Sequence, residues 1–324
     1  MKKISFLLLA LVFFCTLSSV AMAIGSNPNL NWGYTDFSDP PTQMPGFALI
    51  QNVSYYHGEL KNGDGDSYPG NNKLSVLAYA PMLTYTAKQK LPCNISWGIA
   101  AQMPFAMLNT DNDLGFKASN GVLGDPLIGP FFGRQHELAK GWNFHWMFEF
   151  DTYMPLGSHD SDAQFNPGAN FWTFEPFLAL RLEMPYGFEI SMRHHYNWNT
   201  KNHDYKLPAA FRAPGDVYEH TYQVGDMWHF NFAAYKTLDF ITPLLKFGVV
   251  GYYGQQLGND KFDGETVDDS KEKVFAIGPC AQYAYIPQGA KFPAVIFSLK
   301  SYWESNVKNR AEGNRTVFRM VMPF

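Results

Sequence analysis

Nine side chains in this sequence have the chemistry to handle a charged solute, a metal ion or a proton. They are His145, Glu149, Asp151, Glu175, Arg181, Glu189, Arg193, His195 and His229. Imidazoles titrate near neutral pH and ligate metals, carboxylates accept protons and cations, and guanidinium groups hold anions. Glu149 and Asp151 stand two residues apart, as acid–base work would want, and His194-His195 are adjacent. Adjacent residues of a strand point to opposite faces, so that pair cannot chelate one ion. Paired acids beside Arg181 and Arg193 read as a charged network that keeps an enclosed space polar. No metal, no cofactor and no enzymatic activity are expected.

The elements that carry these residues are strands. In GWNFHWMFEFDTYMP (141–155), Trp142, Phe144, Trp146, Phe148, Phe150 and Met154 alternate with Asn143, His145, Glu149 and Asp151. GFEISMRHHYNW repeats the pattern, with Phe188, Ile190, Met192, His194, Tyr196 and Trp198 opposite Glu189, Ser191, Arg193, His195 and Asn197. Period two is a strand signature. An aromatic face backed by a charged face fits a soluble sandwich or a membrane barrel whose lumen is polar.

The rest of the chain chooses between them. Strand candidates fall at 46–57, 73–87, 94–107, 122–134, 141–155, 171–184, 187–199, 219–236, 244–257, 272–286, 292–304 and 313–324. Connections after the odd-numbered candidates read as long and polar, and those after the even-numbered ones as short. That alternation is the mark of an up-and-down transmembrane barrel. Lys2-Lys3, the apolar FLLLALVFF and Ala21-Met22-Ala23 read as a secretory signal peptide over 1–23, cleaved after Ala23. Composition agrees: 46% of residues are hydrophobic and 17% aromatic, yet mean hydropathy is slightly negative. The net charge is −4, and loss of Lys2 and Lys3 takes it to −6, which argues against a nucleic-acid partner. Cys93 and Cys280, the cysteines left after cleavage, form no metal or haem motif; a bridge between them is open. The final strand places Phe318, Met320, Met322 and Phe324 on one face, which resembles the assembly signal of bacterial outer-membrane barrels.

The stretch GVLGDPLIGPFF (121–132), with Leu123-Gly124-Asp125 and Gly129-Pro130, resembles a strand of the meta-pathway phenol-degradation family, which also includes functional-amyloid secretion barrels. The resemblance implies an outer-membrane channel or transporter that admits hydrophobic aromatic compounds. The amyloid exporters carry a coiled coil before the barrel, and residues 24–45 here show no heptads. The twelve-stranded outer-membrane phospholipase has a His-x-Ser-Asn-Gly stretch; here Lys117 stands where the His would precede Ser119-Asn120-Gly121, so the serine has no activating base.

The expectation is therefore an all-β protein: a twelve-stranded antiparallel transmembrane barrel over 46–324, preceded by a plug-like or linker segment, 24–45, whose Trp32, Tyr34 and Phe37 would line or close the lumen. The nine polar residues would face that lumen and contact a small, hydrophobic or aromatic solute in transit. Outer-membrane lipid and the barrel-assembly machinery are the other expected partners. Export, a structural role, or surface hydrolysis are the alternatives.

Overall fold

The computed structural model describes residues 30, 32–33, 39–40, 44–207, 219–289 and 295–324. The signal-peptide reading for 1–23 and the plug candidates Tyr34 and Phe37 lie outside them. Among the described residues the chain forms seventeen strands: β1 Gly46–Leu60, β2 Asn72–Thr86, β3 Ser96–Gln102, β4 Phe105–Asn112, β5 Leu127–Ala139, β6 Trp142–Tyr153, β7 Thr173–Met184, β8 Phe188–Asn199, β9 Asn202–Tyr205, β10 His220–Gln223, β11 Met227–Thr237, β12 Leu245–Gln256, β13 Lys261–Phe262, β14 Glu265–Thr266, β15 Lys273–Tyr285, β16 Val295–Lys308 and β17 Ala311–Pro323.

Thirteen of these make one antiparallel sheet in which β3 and β4 are the two halves of a single crossing, so the sheet has twelve crossings. β1 pairs with both β2 and β17, which closes the ring. The closure runs from Leu60↔Ala311 to Ala48↔Pro323 and is extended by Phe324, whose N–H donates to Phe47 O at 2.8 Å.

The alternation read from the sequence sets the two surfaces. On β8, Phe188, Ile190, Tyr196 and Trp198 lie on the exposed exterior, whereas Glu189, Ser191, His195 and Asn197 are buried inside. The outside is apolar and the inside polar, the inverse of a water-soluble barrel. A closed ring also leaves no backbone edge unpaired, the condition for strands in hydrocarbon. The protein is a membrane-spanning barrel; no helix among the described residues is long and apolar enough to cross a membrane.

Prolines inside strands, which a central strand normally rejects, sit where a ladder lapses. The β5–β6 pairing passes from Ile128↔Thr152 to Phe131↔Glu149 across Pro130. The β7–β8 pairing passes from Phe174↔Trp198 to Phe177↔His195 across Pro176. The β15–β16 pairing passes from Ile277↔Trp303 to Cys280↔Lys300 across Pro279. Pro81 marks the point where β2 changes partner from β3 to β4.

Two expectations are corrected. The last external connection, expected to be long, is the pair Asn309-Arg310, because β16 and β17 extend to Lys308 and back from Ala311. The other long connections carry structure of their own: β9, β10, β13 and β14 form a second, four-stranded sheet. At the same end, Leu60, Tyr68, Phe116, Phe165, Phe171, Tyr205, Tyr222 and Val224 pack into an apolar cluster. The external end is thus capped by a core of its own. Cys93 and Cys280 are not joined in a disulfide: the first is exposed in the turn before β3 and the second buried in β15.

Candidate functional site in the lumen

All nine predicted polar residues point inward, and strand parity explains why: His145, Glu149 and Asp151 share one face of β6, Glu175 and Arg181 one face of β7, and Glu189, Arg193 and His195 one face of β8. His229 sits on β11 directly across from His195. Eight of them are nearly completely covered, from 0% exposure for Glu175 and His229 to 6% for Glu149, and the Arg193 side chain is 13% exposed. The lumen is packed at this depth.

The nine divide into separate clusters. In one, Arg181 Nη2 lies 2.9 Å from His145 Nε2 and 3.1 Å from Glu183 Oε1, and Asn143 Nδ2 donates to Glu183 Oε2 at 3.1 Å. In a second, Glu189 accepts from Ser191 Oγ at 3.2 Å and from the Tyr235 hydroxyl, to which Lys246 Nζ donates at 2.8 Å. In the third, Glu149, Asp151 and Glu175 stand near His195 and His229; Asp151 is the direct cross-strand neighbour of Glu175. Asp151 has room because Gly129 of β5 faces it: a Cβ there would lie 2.0 Å from Asp151 Oδ1.

The expected pairing of these acids with Arg193 is replaced by another. Arg193 holds Asp39 through two contacts, Nη2–Oδ1 and Nε–Oδ2, each 2.6 Å, and its guanidinium lies over the Phe177 ring at 4.7 Å. Asp39 precedes the barrel, so the leading chain enters the lumen. Gly33 lies there too: its N–H donates to Asn231 Oδ1 at 3.2 Å, and its carbonyl accepts from Lys300 Nζ at 3.0 Å and Tyr302 Oη at 2.7 Å. Trp32 packs against His229 and Tyr252, with centroids 5.0 and 5.3 Å away, under the Arg310 guanidinium at 4.9 Å. Gly254 of β12 makes its seat, since a Cβ there would sit 2.1 Å from the Trp32 ring.

The sequence reading overlooked Asp39, Asn231, Lys300, Tyr302 and Glu304. The last three have inward parity on β16, in the alternation Ser298, Lys300, Tyr302, Glu304, so period two could have found them. Glu304 gathers the Tyr56 and Tyr252 hydroxyls at 2.8 and 2.6 Å and the Gly313 N–H at 2.9 Å. Nothing in the local sequence marks Asp39. Ser119, the residue of the serine-hydrolase comparison, accepts the Gly121 N–H at 3.1 Å and so braces a turn.

The Leu123-Gly124-Asp125 motif also has a structural account. Asp125 is fully buried and accepts the Gly157 and Ala169 N–H groups at 2.9 and 2.7 Å, tying two stretches of the 154–172 connection to the barrel rim. Residues 58–320 match the model of the family described as "Putative MetA-pathway of phenol degradation". The chain belongs to that family. Among solved structures it is similar to an outer membrane channel from Pseudomonas putida F1, at 13% identity and a TM-score of 0.74, over 90% of this chain and 100% of that one. Looser likenesses include the β domain of the Bordetella autotransporter BrkA, at 8% identity and TM-score 0.46 over 86% of this chain and 100% of that one. The CymD monoaromatic hydrocarbon channel is matched at 12% identity and TM-score 0.40 over 94% and 97%. The first likeness bears on the fold, and the other two carry no argument. No curated protein matches the chain.

Proposed function

We propose that this protein is an outer-membrane channel through which a small hydrophobic or aromatic solute crosses, and that its leading segment, 24–45, is the plug of that channel. The observation that carries the reading is the seating of Trp32, Gly33 and Asp39 on lumen groups of β8, β11, β12 and β16. A linker would need no tailored seat; Gly254 leaves a ring-sized space, and Arg193 meets the Asp39 carboxylate in a charge-assisted hydrogen bond from Nη2. Membership of the phenol-degradation family supports an aromatic solute. The covered lumen acids and histidines then contact solute only when the segment moves. Phe318, Met320, Met322 and Phe324, on the lipid-facing side of β17, serve in this reading as the assembly signal.

The test is planar-bilayer conductance of the chain from Ile24 onward and of a form that starts at residue 46. The expected result is rare or small steps in the first and frequent steps in the second, reduced by a small phenol added to the bath. Two folded barrels that are equally silent would overturn the channel, and two that conduct equally would overturn the plug.

A further inference from the structure

The third lumen cluster contains an arrangement that solute passage does not require. Glu175, His195 and His229 each present one ligating atom, and these three atoms lie within 4.8 Å of one another. All three residues are buried at 1% exposure or less. They come from three neighbouring strands, β7, β8 and β11, and their meeting follows from register. His195 is paired with His229 across β8–β11, and Glu175 lies two residues along β7 from Phe177, the partner of His195. The imidazoles stack at 4.2 Å with 7° between their planes, so their in-plane nitrogens run side by side. Glu175 Oε1 is 2.5 Å from His195 Nδ1 and 3.9 Å from His229 Nε2.

His229 is the group that needs explaining. Neither of its ring nitrogens has a hydrogen-bond partner in the structure, although the ring is completely buried. A buried imidazole normally satisfies at least one nitrogen. Charge points the same way. Glu149, Asp151 and Glu175 crowd this part of the lumen, and the nearby cation, Arg193, is engaged by Asp39. A cation held at the cluster would answer both the unpaired nitrogens and the excess of carboxylates.

We propose that Glu175, His195 and His229 form a binding site for one divalent transition-metal ion of the zinc class. Two imidazole nitrogens and one carboxylate oxygen are a borderline-soft donor set, suited to zinc and its neighbours and unsuited to calcium or magnesium. Bonds of about 2.0–2.1 Å require the Glu175–His195 contact to open, the Glu175–His229 gap to close and the two rings to tilt out of their parallel stack, so that their in-plane lone pairs converge on the ion. The ion takes the place of the proton between His195 Nδ1 and Glu175 Oε1; that proton moves to His195 Nε2, so the imidazole stays a neutral ligand and Glu175 a carboxylate. Outer-shell support is present: Asn197 Nδ2 donates to Glu175 Oε2 at 2.7 Å and fixes the carboxylate plane. Trp32 packs beside His229, so an ion here ties three strands together next to the leading segment. The site does not depend on whether solute passes through the barrel.

The experiment uses the untagged, detergent-folded chain, stripped with a chelator and titrated with Co2+ as a spectroscopic probe. The expected result is one-to-one binding with the visible absorption of a tetrahedral or five-coordinate ion, displaced by Zn2+. His229→Gln and His195→Gln should abolish that absorption, and Asn197→Ala should weaken binding about 10- to 100-fold. His57→Gln, on the exterior, should leave it unchanged. Folding of each variant is read from its heat-modifiable electrophoretic mobility. Should a ligand variant fail to fold, X-ray absorption fine structure of Co2+ bound to the wild-type chain replaces it, with two imidazoles in the ion's shell as the expected result. A colourless wild type overturns the site, as does a shell without imidazole or a folded His229→Gln that binds Co2+ like the wild type.

Discussion

Gly129 shows how much a single missing side chain decides. The family motif places Gly129-Pro130 in β5, and both residues have a structural role there. The glycine vacates the volume that the Asp151 carboxylate fills, and the proline sits where the β5–β6 ladder lapses. A methyl group at 129 would meet Asp151 Oδ1 at 2.0 Å, in a wall that cannot move far without breaking its neighbours' pairing. Gly129→Ala should therefore destabilise the barrel by about 1–3 kcal/mol, the usual cost of overpacking. Urea unfolding of the detergent-folded protein would measure it, and the double variant Gly129→Ala, Asp151→Ala should recover most of the loss. The inward direction of all nine polar residues was legible because period two fixes the face of every residue once one is known. Which inward residues touch was not legible. His195 meets His229 and Glu175 through the register of three strands, and Arg193 meets Asp39 across 154 positions of sequence.

At the scale of elements, strands and short turns were legible and the external connections were not. A polar run such as GELKNGDGDSYPGNN looks like a solvated loop, yet Asn62 Oδ1 accepts the Asp64 and Asp66 N–H groups at 3.0 and 2.9 Å, and Tyr68 joins the apolar cluster above the barrel. In the 257–272 connection, Asp260 accepts from the Tyr222 hydroxyl, Gly225 N and Gln256 Nε2. Burial nevertheless pushes its carboxyl up, from 3.8 to about 6. Burial also raises Glu272, from 4.5 to about 7, against the opposing pull of Arg310. Both values are raised on folding, so these groups favour the packed cap when protonated. Their contribution is full below about pH 4 and is lost as pH climbs through about 6 and 7. Limited proteolysis of the external connections should accordingly be slower at about pH 5 than at about pH 8. Asp260→Asn, neutral throughout, should flatten that difference; an unchanged pH profile in the variant would reject Asp260 as its source.

For the whole molecule, the decisive relation is between a packed lumen and the chain that enters it. Composition and hydropathy showed that the interior would be polar; they could not show that it would be filled, because filling depends on which side chains reach across the ring. Opening a path means moving the leading segment, and Gly254 gives a handle on it. Gly254→Val would place atoms within 2.1 Å of the Trp32 ring and should unseat it. The expected outcome is protease access to residues 24–45 and channel activity near that of the form starting at residue 46. Trp32→Ala, which empties the seat without crowding it, should give a smaller increase. Equal silence from both variants would place the closure elsewhere in the lumen.

The ring closes between β1 and β17, whose paired residues are as distant in sequence as Ala48 and Pro323. Every other barrel strand finds its neighbours within the next one or two crossings, and the turn at Asn309-Arg310 makes the last hairpin as local as a hairpin can be. The closing seam alone carries the loop-closure entropy of nearly the whole chain, so it is the step that topology makes slow. Until the last dozen or so residues are in place, β1 and β16 each present a bare row of amides and carbonyls, the template on which strands of different molecules pair. A chain cut short before β17 is thus a worse prospect for the cell than one cut at an earlier connection. It has paid nearly all of its ordering cost and still has two open edges.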